Sequence, residues 1–514
     1  MSMELDRDPK AASAAPIRTV CVVGRDLALW LSALGLQRAF GRIGVKVLAV
    51  ELPSLLPPGS AIVALPSLGA LHPLLGLNEA DLMRGASGMF ALAQRFANWS
   101  GGKPAFLHPY DTQPVGVNNV DLLQYWVKAR SRGMKVAWEE FSLGAAMAKA
   151  GRIDLSPDLS GGAPRPAWGY HFDAAHYCSL IRTQALRAGV HAIGCDRVEV
   201  EASNEQITAV DAAGQRVQAD LWVDASGTAG ILIGQLGEGA RESWRPWLPC
   251  DRQLVASAQP LNPLPAFSQI AAFRAGWVGL FPLQDRTAVI AVYSSAHASD
   301  REVLESLPTL TGARISGAAT AAGLDSGRRL KPWVGNCVAI GEAAVVTEPL
   351  DAVEPHLIQA GLSLLVSVFP TDTAMGLEAR AFNQAMARHA TGVRDFQAAH
   401  YRLNQRRDDP FWDLARKAQP PQDLSHKLAV FSARGRVPVY DDEAFQPSNW
   451  ASILIGHGLM PRDYDPLVEL VDEPDQIRHI QQTLAWIARE VKTMPDVASQ
   501  LPRPFPAFGG SAFA

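Results

Sequence analysis

The stretch from Thr19 to Glu51 constrains the fold most. Thr19-Val20-Cys21-Val22-Val23 is a short apolar run, the pattern of a strand buried on both faces. Gly24 follows as a turn, and apolar periodicity from about Leu27 to Phe40 predicts a helix. Val45-Lys46-Val47-Leu48-Ala49-Val50 predicts a second strand, which Glu51 closes with an acid. Two buried strands joined through a helix make one βαβ unit, and such units build parallel sheets. Any parallel α/β domain reads the same way, so this unit sets the fold class and leaves the ligand open.

Further strands are predicted at 197–201, 206–210 and 219–224, the first two joined by a short turn as in a meander, and at 276–282 and 288–293. After about Asn336 the pattern turns helical, with breaks such as Ala418-Gln419-Pro420-Pro421. Of the 514 residues 48% are hydrophobic and 19% charged, enough to bury a large core. A net charge of −4 gives no bulk attraction to nucleic acid or to an anionic membrane. The five cysteines are scattered and include no C-x-x-C pair, which argues against a disulfide framework or structural zinc and suits a cytoplasmic location. No run of 18 apolar residues predicts a membrane span. Residues 1–17 are expected to be a disordered tail, 18–350 a main module, 351–500 a mostly helical region, and 501–514 a Pro/Gly-rich tail.

A dinucleotide fingerprint wants G-x-G-x-x-G before the helix. Here Gly24-Arg25-Asp26-Leu27-Ala28-Leu29 keeps only the first glycine. Asp26 sets a carboxylate where a diphosphate should meet bare backbone. The helix N-terminus still favours anions, Arg25 offers a cation, and Glu51 is the acid expected at the ribose hydroxyls. No Gly-x-Ser-x-Gly, His-Glu-x-x-His or Walker sequence is present, so hydrolase, zinc-protease and NTPase readings lack support.

Longer motifs carry a family resemblance. Met83-Arg84 through Phe90-Ala91-Leu92 to Arg95-Phe96-Ala97-Asn98-Trp99 resembles M-R-x-x-N-x-x-F-K-L-x-x-R-F-x-N-W of the FAD-dependent tryptophan halogenases. Tyr170-His171-Phe172-Asp173-Ala174 with Tyr177 and Arg182, Ala219 to Gly227 around Asp224, and Trp333 to Ala344 around Gly341-Glu342 are similar to further elements of that family. So are Arg407 to Trp412, Gly456-His457-Gly458 and Pro461 to Pro466, so the likeness runs from about residue 18 to 470. It implies an α/β fold with an FAD-binding, Rossmann-like domain of the monooxygenase/halogenase type, a β-sheet layer and a mostly helical C-terminal region. It also implies cofactor contacts at Gly24, Arg25, Glu51, Asp224, Gly227, Gly341 and Glu342. His108 and Tyr110, matching the family's H-P-F segment, are expected to flank an indole-like substrate; read without the family, His108 caps a loop and Tyr110 is core.

The chain departs from the family where the chemistry sits. Ala91 stands at the catalytic lysine, and a methyl group can neither hydrogen-bond nor carry an oxidised halogen. W-x-W-x-I-P becomes Trp277-Val278-Gly279-Leu280-Phe281-Pro282. D-P-L-E-S-T-G becomes Glu348-Pro349-Leu350-Asp351-Ala352-Val353-Glu354, which leaves Asp351 as the catalytic acid and puts Val353 and Glu354 at the halide position. The resemblance implies reduced FAD from a flavin reductase, oxygen, halide and a small aromatic substrate, with homo- or hetero-oligomers open. The departures point to impaired halogenation. The alternatives are a non-catalytic homologue that binds substrate, flavin or a protein partner, and an FAD-dependent aromatic monooxygenase. Among residues that look reactive, His171 is expected to be structural, Asp173 a helix N-cap, and Arg394-Asp395 a solvated helix face.

Overall fold

The computed structural model describes residues 15–111, 116, 120–156, 166–237, 240–441 and 443–502. Its first sheet has six strands in the order Trp333–Val334, Cys337–Ala339, Leu221–Ala225, Thr19–Gly24, Lys46–Glu51 and His191–Gly194. All its pairings are parallel except that of Trp333–Val334 with Cys337–Ala339. Thr19–Gly24 is central, and its last five residues are fully buried because both neighbours and the helix Asp26–Phe40 cover them. The βαβ unit thus forms as its apolar pattern predicts.

Gly24 is required by contact. A Cβ there would lie 2.1 Å from the Ala225 carbonyl oxygen, a backbone atom that cannot step aside. The helix that follows starts with Asp26 at φ 53°, a left-handed conformation that costs a non-glycine residue on the order of 1 kcal/mol or more. Close packing of this helix falls later than a nucleotide fingerprint places it. Gly35, not position 29, lies against Leu362 of the helix Val353–Ser367.

A second, seven-stranded sheet runs Ile315–Gly323, Arg252–Ala258, Thr287–Tyr293, Gly276–Pro282, Phe267–Phe273, Ala93–Ala97 and Phe106–Pro109. One face packs on a small separate core with the helix Asp300–Thr311, which includes Val303, Leu307, Val278 and Leu280. The other face joins the main core. The strands Val198–Ser203, Gln206–Ala212 and Gln215–Val217 form an antiparallel meander at the expected place. From Val353 to Gln500 the described chain is mostly helical, and the break at 418–421 separates Pro410–Lys417 from Gln422–Arg434. No helix among the described residues is long and apolar enough to cross a membrane.

Two expectations need correction. Residues 15–17 belong to the folded body: Pro16 bridges Asp372 and Ile17 is buried, because this segment runs straight into the central strand. Arg394 and Asp395 are not a solvated face. Both are buried; Arg394 donates to Asp395 and to Glu242 and lies 4.7 Å from the Trp247 ring centroid. Mutual neutralisation lets an ion pair enter the core where a charge pattern read along the chain suggests surface. All five cysteines are free.

Gly24→Ala is expected to lower the melting temperature sharply, by roughly 3 kcal/mol of stability or more, since the clash is with backbone. Thermal unfolding measured by circular dichroism would show it, and an unchanged transition would refute the contact argument.

Candidate functional site

Two places gather the residues singled out by sequence. The first is a crevice along the carboxyl ends of the parallel strands, the usual ligand edge of such sheets. One section, of about 1040 Å³, is bordered by Glu51, Pro53, Gly194, Arg197 and Asp211. The other, of about 140 Å³, is bordered by Arg25, Asp26, Gly227, Gly341, Glu342 and Glu354 at the start of the helix Asp26–Phe40. Glu51 faces the first section but is already engaged, accepting from Arg182 at 3.0–3.1 Å and from Trp30 Nε1 at 3.3 Å.

Asp224 plays another part than the one its motif implies. Its buried carboxylate accepts from the Ser226 amide and hydroxyl and from the Leu232 and Ile233 amides. It therefore ties the loop after its strand instead of facing a ligand. Val353 is buried as the first residue of its helix, and Pro355 sits within that first turn, where a missing amide hydrogen costs nothing.

The smaller section is acidic. Glu342 and Glu354 are reached by water yet walled by protein, and both carboxyls are held above the usual range. Burial is the main cause for each. Next comes Asp26 for Glu342, and Glu342 followed by Asp26 for Glu354. The cation at hand, Arg25, spends one guanidinium nitrogen on the Pro53 carbonyl at 3.1 Å. At ~4 Å a carboxylate repels another anion by about 1 kcal/mol in water and about 4 kcal/mol at an effective dielectric of ~20. The turn and helix N-terminus fit a dinucleotide, but this set of three carboxylates does not fit its diphosphate. Glu354 likewise does not fit a halide beside it.

The second place is a buried aromatic cage between the seven-stranded sheet and the C-terminal helices. Gln94 pairs directly with His108 across adjacent strands, so both side chains project from one face. The rings of Phe396, Phe445 and Tyr110 surround His108 with centroids 5.5, 6.4 and 6.2 Å away. Trp450 meets Phe396 edge-on at 4.9 Å. Asp351 closes the cage; its Oδ1 lies 3.3 Å from His400 Nε2, and His400 Nδ1 is 2.8 Å from His457 Nε2. His108 and Tyr110 thus come together with Asp351, while Glu354 and Glu342 belong to the crevice. Gln94 and His400 were not singled out by sequence; their alternation with Phe96 and their helical spacing from Phe396 are compatible with ordinary core.

Polar atoms in the cage are left unused. Both ring nitrogens of His108, Asp351 Oδ2 and Trp450 Nε1 are shut from water and lack hydrogen-bond partners; Asp351 Oδ1 has only His400 at 3.3 Å, and the Gln94 amide and Tyr110 hydroxyl have only each other. Each such group costs about 1–3 kcal/mol. Burial drives their titration. Asp351 is pushed up to about 7, against the pull of His108. His108 is pushed down to about 4, by burial first, with Asp351 opposing and His400 assisting. His400 falls to about 3 by burial. A neutral His400 cannot neutralise Asp351. By contrast His171, also buried, contacts the Pro282 carbonyl and Ser268 Oγ, and Asp173 caps its helix by accepting from the His176 amide, both as expected.

The loop that carries Asp351 is strained and tightly held. Asp351 and Ala352 have φ of 62° and 58°. Gln397 Nε2 donates to the Glu348 and Leu350 carbonyls, and Glu348 Oε2 accepts from Tyr401 at 2.6 Å and Trp277 Nε1 at 2.9 Å. Glu348 itself is pushed up to about 7 by burial, with those two donors opposing. Ala91 is fully buried, paired with Gly169, over whose backbone the Tyr110 ring lies. Beside Trp277, the place of the second family tryptophan is Gly279, where a Cβ would come within 2.6 Å of the Phe281 ring.

Asp351 titrates near 4 when unfolded and near 7 when folded, so its contribution to stability is full at low pH and is lost as pH rises through 7. Asp351→Asn abolishes that loss. The stability of the variant relative to wild type is expected to grow by about 2–3 kcal/mol between about pH 5 and about pH 8. Chemical denaturation across this range measures it, and a flat difference would exclude the assignment. For the crevice, the double variant Asp26→Gly, Glu354→Gly is expected to bind FAD at least ~10-fold more tightly than wild type by calorimetry. Equal affinities would mean that the carboxylates do not oppose the diphosphate.

A family model described as tryptophan halogenase matches residues 19–473. Tryptophan 6-halogenase ThaL of Streptomyces albogriseolus is 28% identical over 93% of this chain and 96% of its own. The solved flavin-dependent halogenase BrvH from Brevundimonas sp. BAL3 is 32% identical, with a TM-score of 0.88 over 95% of this chain and 99% of its own. A flavin-dependent halogenase from Xanthomonas campestris is 27% identical, with a TM-score of 0.90 over 96% and 99%. The mixed α/β fold is therefore that of the flavin-dependent halogenases, and the chain belongs to the tryptophan halogenase family.

Proposed function

We propose that this chain is a divergent halogenase homologue that binds a small aromatic ligand in the Asp351 cage and is impaired in flavin-dependent halogenation. The observation that carries this reading is the contrast between the two places. The cage keeps a full set of aromatic walls and unpaired polar groups, whereas the crevice sets three carboxylates against an incoming diphosphate. Ala91, on this reading, stands where the family lysine would act, and its methyl group supplies neither a proton nor a nitrogen. Lys427, whose ammonium lies 5.2 Å from the Trp450 ring centroid, does not replace it. It donates to the Pro438 carbonyl and Glu443.

FAD, when bound to a member of this family, supplies the oxidising chemistry that turns halide into a halogenating agent. The residues of this chain then have separate tasks. The aromatic walls would orient a ring and exclude water, and Asp351, poised near neutrality, would hold or release one proton at Oδ1 or Oδ2. None of these residues supplies the amine that directs halogen in the family.

With reduced FAD, oxygen and bromide, wild type is expected to give no haloindole detectable by mass spectrometry. Ala91→Lys alone is expected to remain inactive, because the crevice carboxylates persist. Robust bromination of indole by wild type would contradict the proposal. Bromination by the lysine variant alone would reduce the impairment to one residue.

A further inference from the structure

The aromatic cage is closed upon itself. Phe445 lies parallel to Phe396, with ring centroids 3.6 Å apart and planes inclined by 11°, and 6.4 Å from the His108 ring, while Trp450 meets Phe396 edge-on. It is buried, although it belongs to the connection between the helices Gln422–Arg434 and Pro447–Gly456 and not to a helix or strand. A phenyl ring packs well there and pairs with nothing polar. In the same cage the imidazole of His108, Asp351 Oδ2 and the indole N–H of Trp450 go unpaired, Asp351 Oδ1 has only the neutral His400 beside it, and the Gln94 amide has only the Tyr110 hydroxyl. Such a set is complementary to a different ring, one that carries hydrogen-bonding groups on its edge.

We propose that Phe445 is an intramolecular plug, holding the slot of a planar aromatic ligand that bears a ring N–H. This rests on the aromatic-ligand reading given above and adds who occupies the slot in its absence. The chemistry of the ligand follows from the walls. Phe396 offers a flat face for stacking. Asp351 and Gln94 Oε1 accept from an N–H, and Trp450 Nε1 donates to an acceptor where the ligand has one. The connection bearing Phe445 is latched from behind: Lys427 donates to the Pro438 carbonyl and to Glu443, two residues before Phe445. A ligand that takes the slot must turn Phe445 out, so its apparent affinity is reduced by the small fraction of molecules in which the plug has already left.

The test is calorimetric titration of the full chain with indole, and with benzothiophene as an equally flat ring lacking the N–H. Phe445→Ala is expected to bind indole at least ~10-fold more tightly than wild type, with a much smaller gain for benzothiophene. Phe445→Leu, which fills more of the space left behind, is expected to show a smaller gain in the same direction, so a poorly folded alanine variant does not decide the matter. Gln94→Leu in the Phe445→Ala background is expected to remove most of the preference for indole. If wild type and both Phe445 variants bind indole equally, the plug is wrong and the aromatic-ligand reading stands. If equal gains are seen for both rings, the polar walls do not select. If no variant binds either ring, both proposals fall.

Discussion

Everything near the aromatic cage depends on how one strained loop is tied down. Residues 348 to 352 leave the last strand and enter the helix Val353–Ser367 through two successive left-handed residues that are not glycine. That geometry survives because a single helix, Gly376–Leu403, reaches it with two side chains. Gln397 holds two of its carbonyls and Tyr401 holds the Glu348 carboxyl, which in turn fixes Trp277 in the neighbouring sheet. The same helix carries Phe396 and His400, so the cage wall and the clamp on the loop are one rigid piece. Sheet, loop and helix are thereby locked in register, and Asp351 is delivered to an apolar interior that its charge alone would resist.

How much of this can be read from sequence depends on the range of the interaction. The βαβ unit is local, and its apolar periods give its strands and helix nearly to the residue. The meander at 198–217 and the N-cap at Asp173 are local too. Arg394 and Asp395 neutralise each other side by side yet look solvated in the chain, because the Glu242 carboxylate and the Trp247 ring that cover Arg394 lie some 150 positions away. Asp224 illustrates the converse. Its motif suggests a ligand contact, yet the four donors that occupy it come from the next nine residues, whose loop conformation no periodicity reports. Gln94 and His400 escape notice for the same reason: only folding places a strand glutamine opposite His108, and a helical histidine beside Asp351.

The two halves of the molecule also treat charge differently. In the cage, acids and histidines are driven toward neutrality by loss of water, and polar atoms wait for partners. In the crevice, Asp26, Glu342 and Glu354 remain within reach of water; burial and then Asp26 raise the affinity of Glu342 for protons, and burial, then Glu342 and Asp26, raise that of Glu354. On the proposed reading, a scaffold shared with flavin-dependent halogenases carries an interior suited to a neutral ring and a groove ill suited to a polyanion.

Gly279 and Phe281 are coupled through the space they share. The ring of Phe281 lies over the space that a side chain at 279 would need. Installing tryptophan there first would overfill the core, at about 1–3 kcal/mol or more. Trimming Phe281 first would leave a void. Each single change at this pair is thus uphill, while glycine and phenylalanine together are well packed. The two positions act as one unit: neither can change size unless its neighbour changes with it.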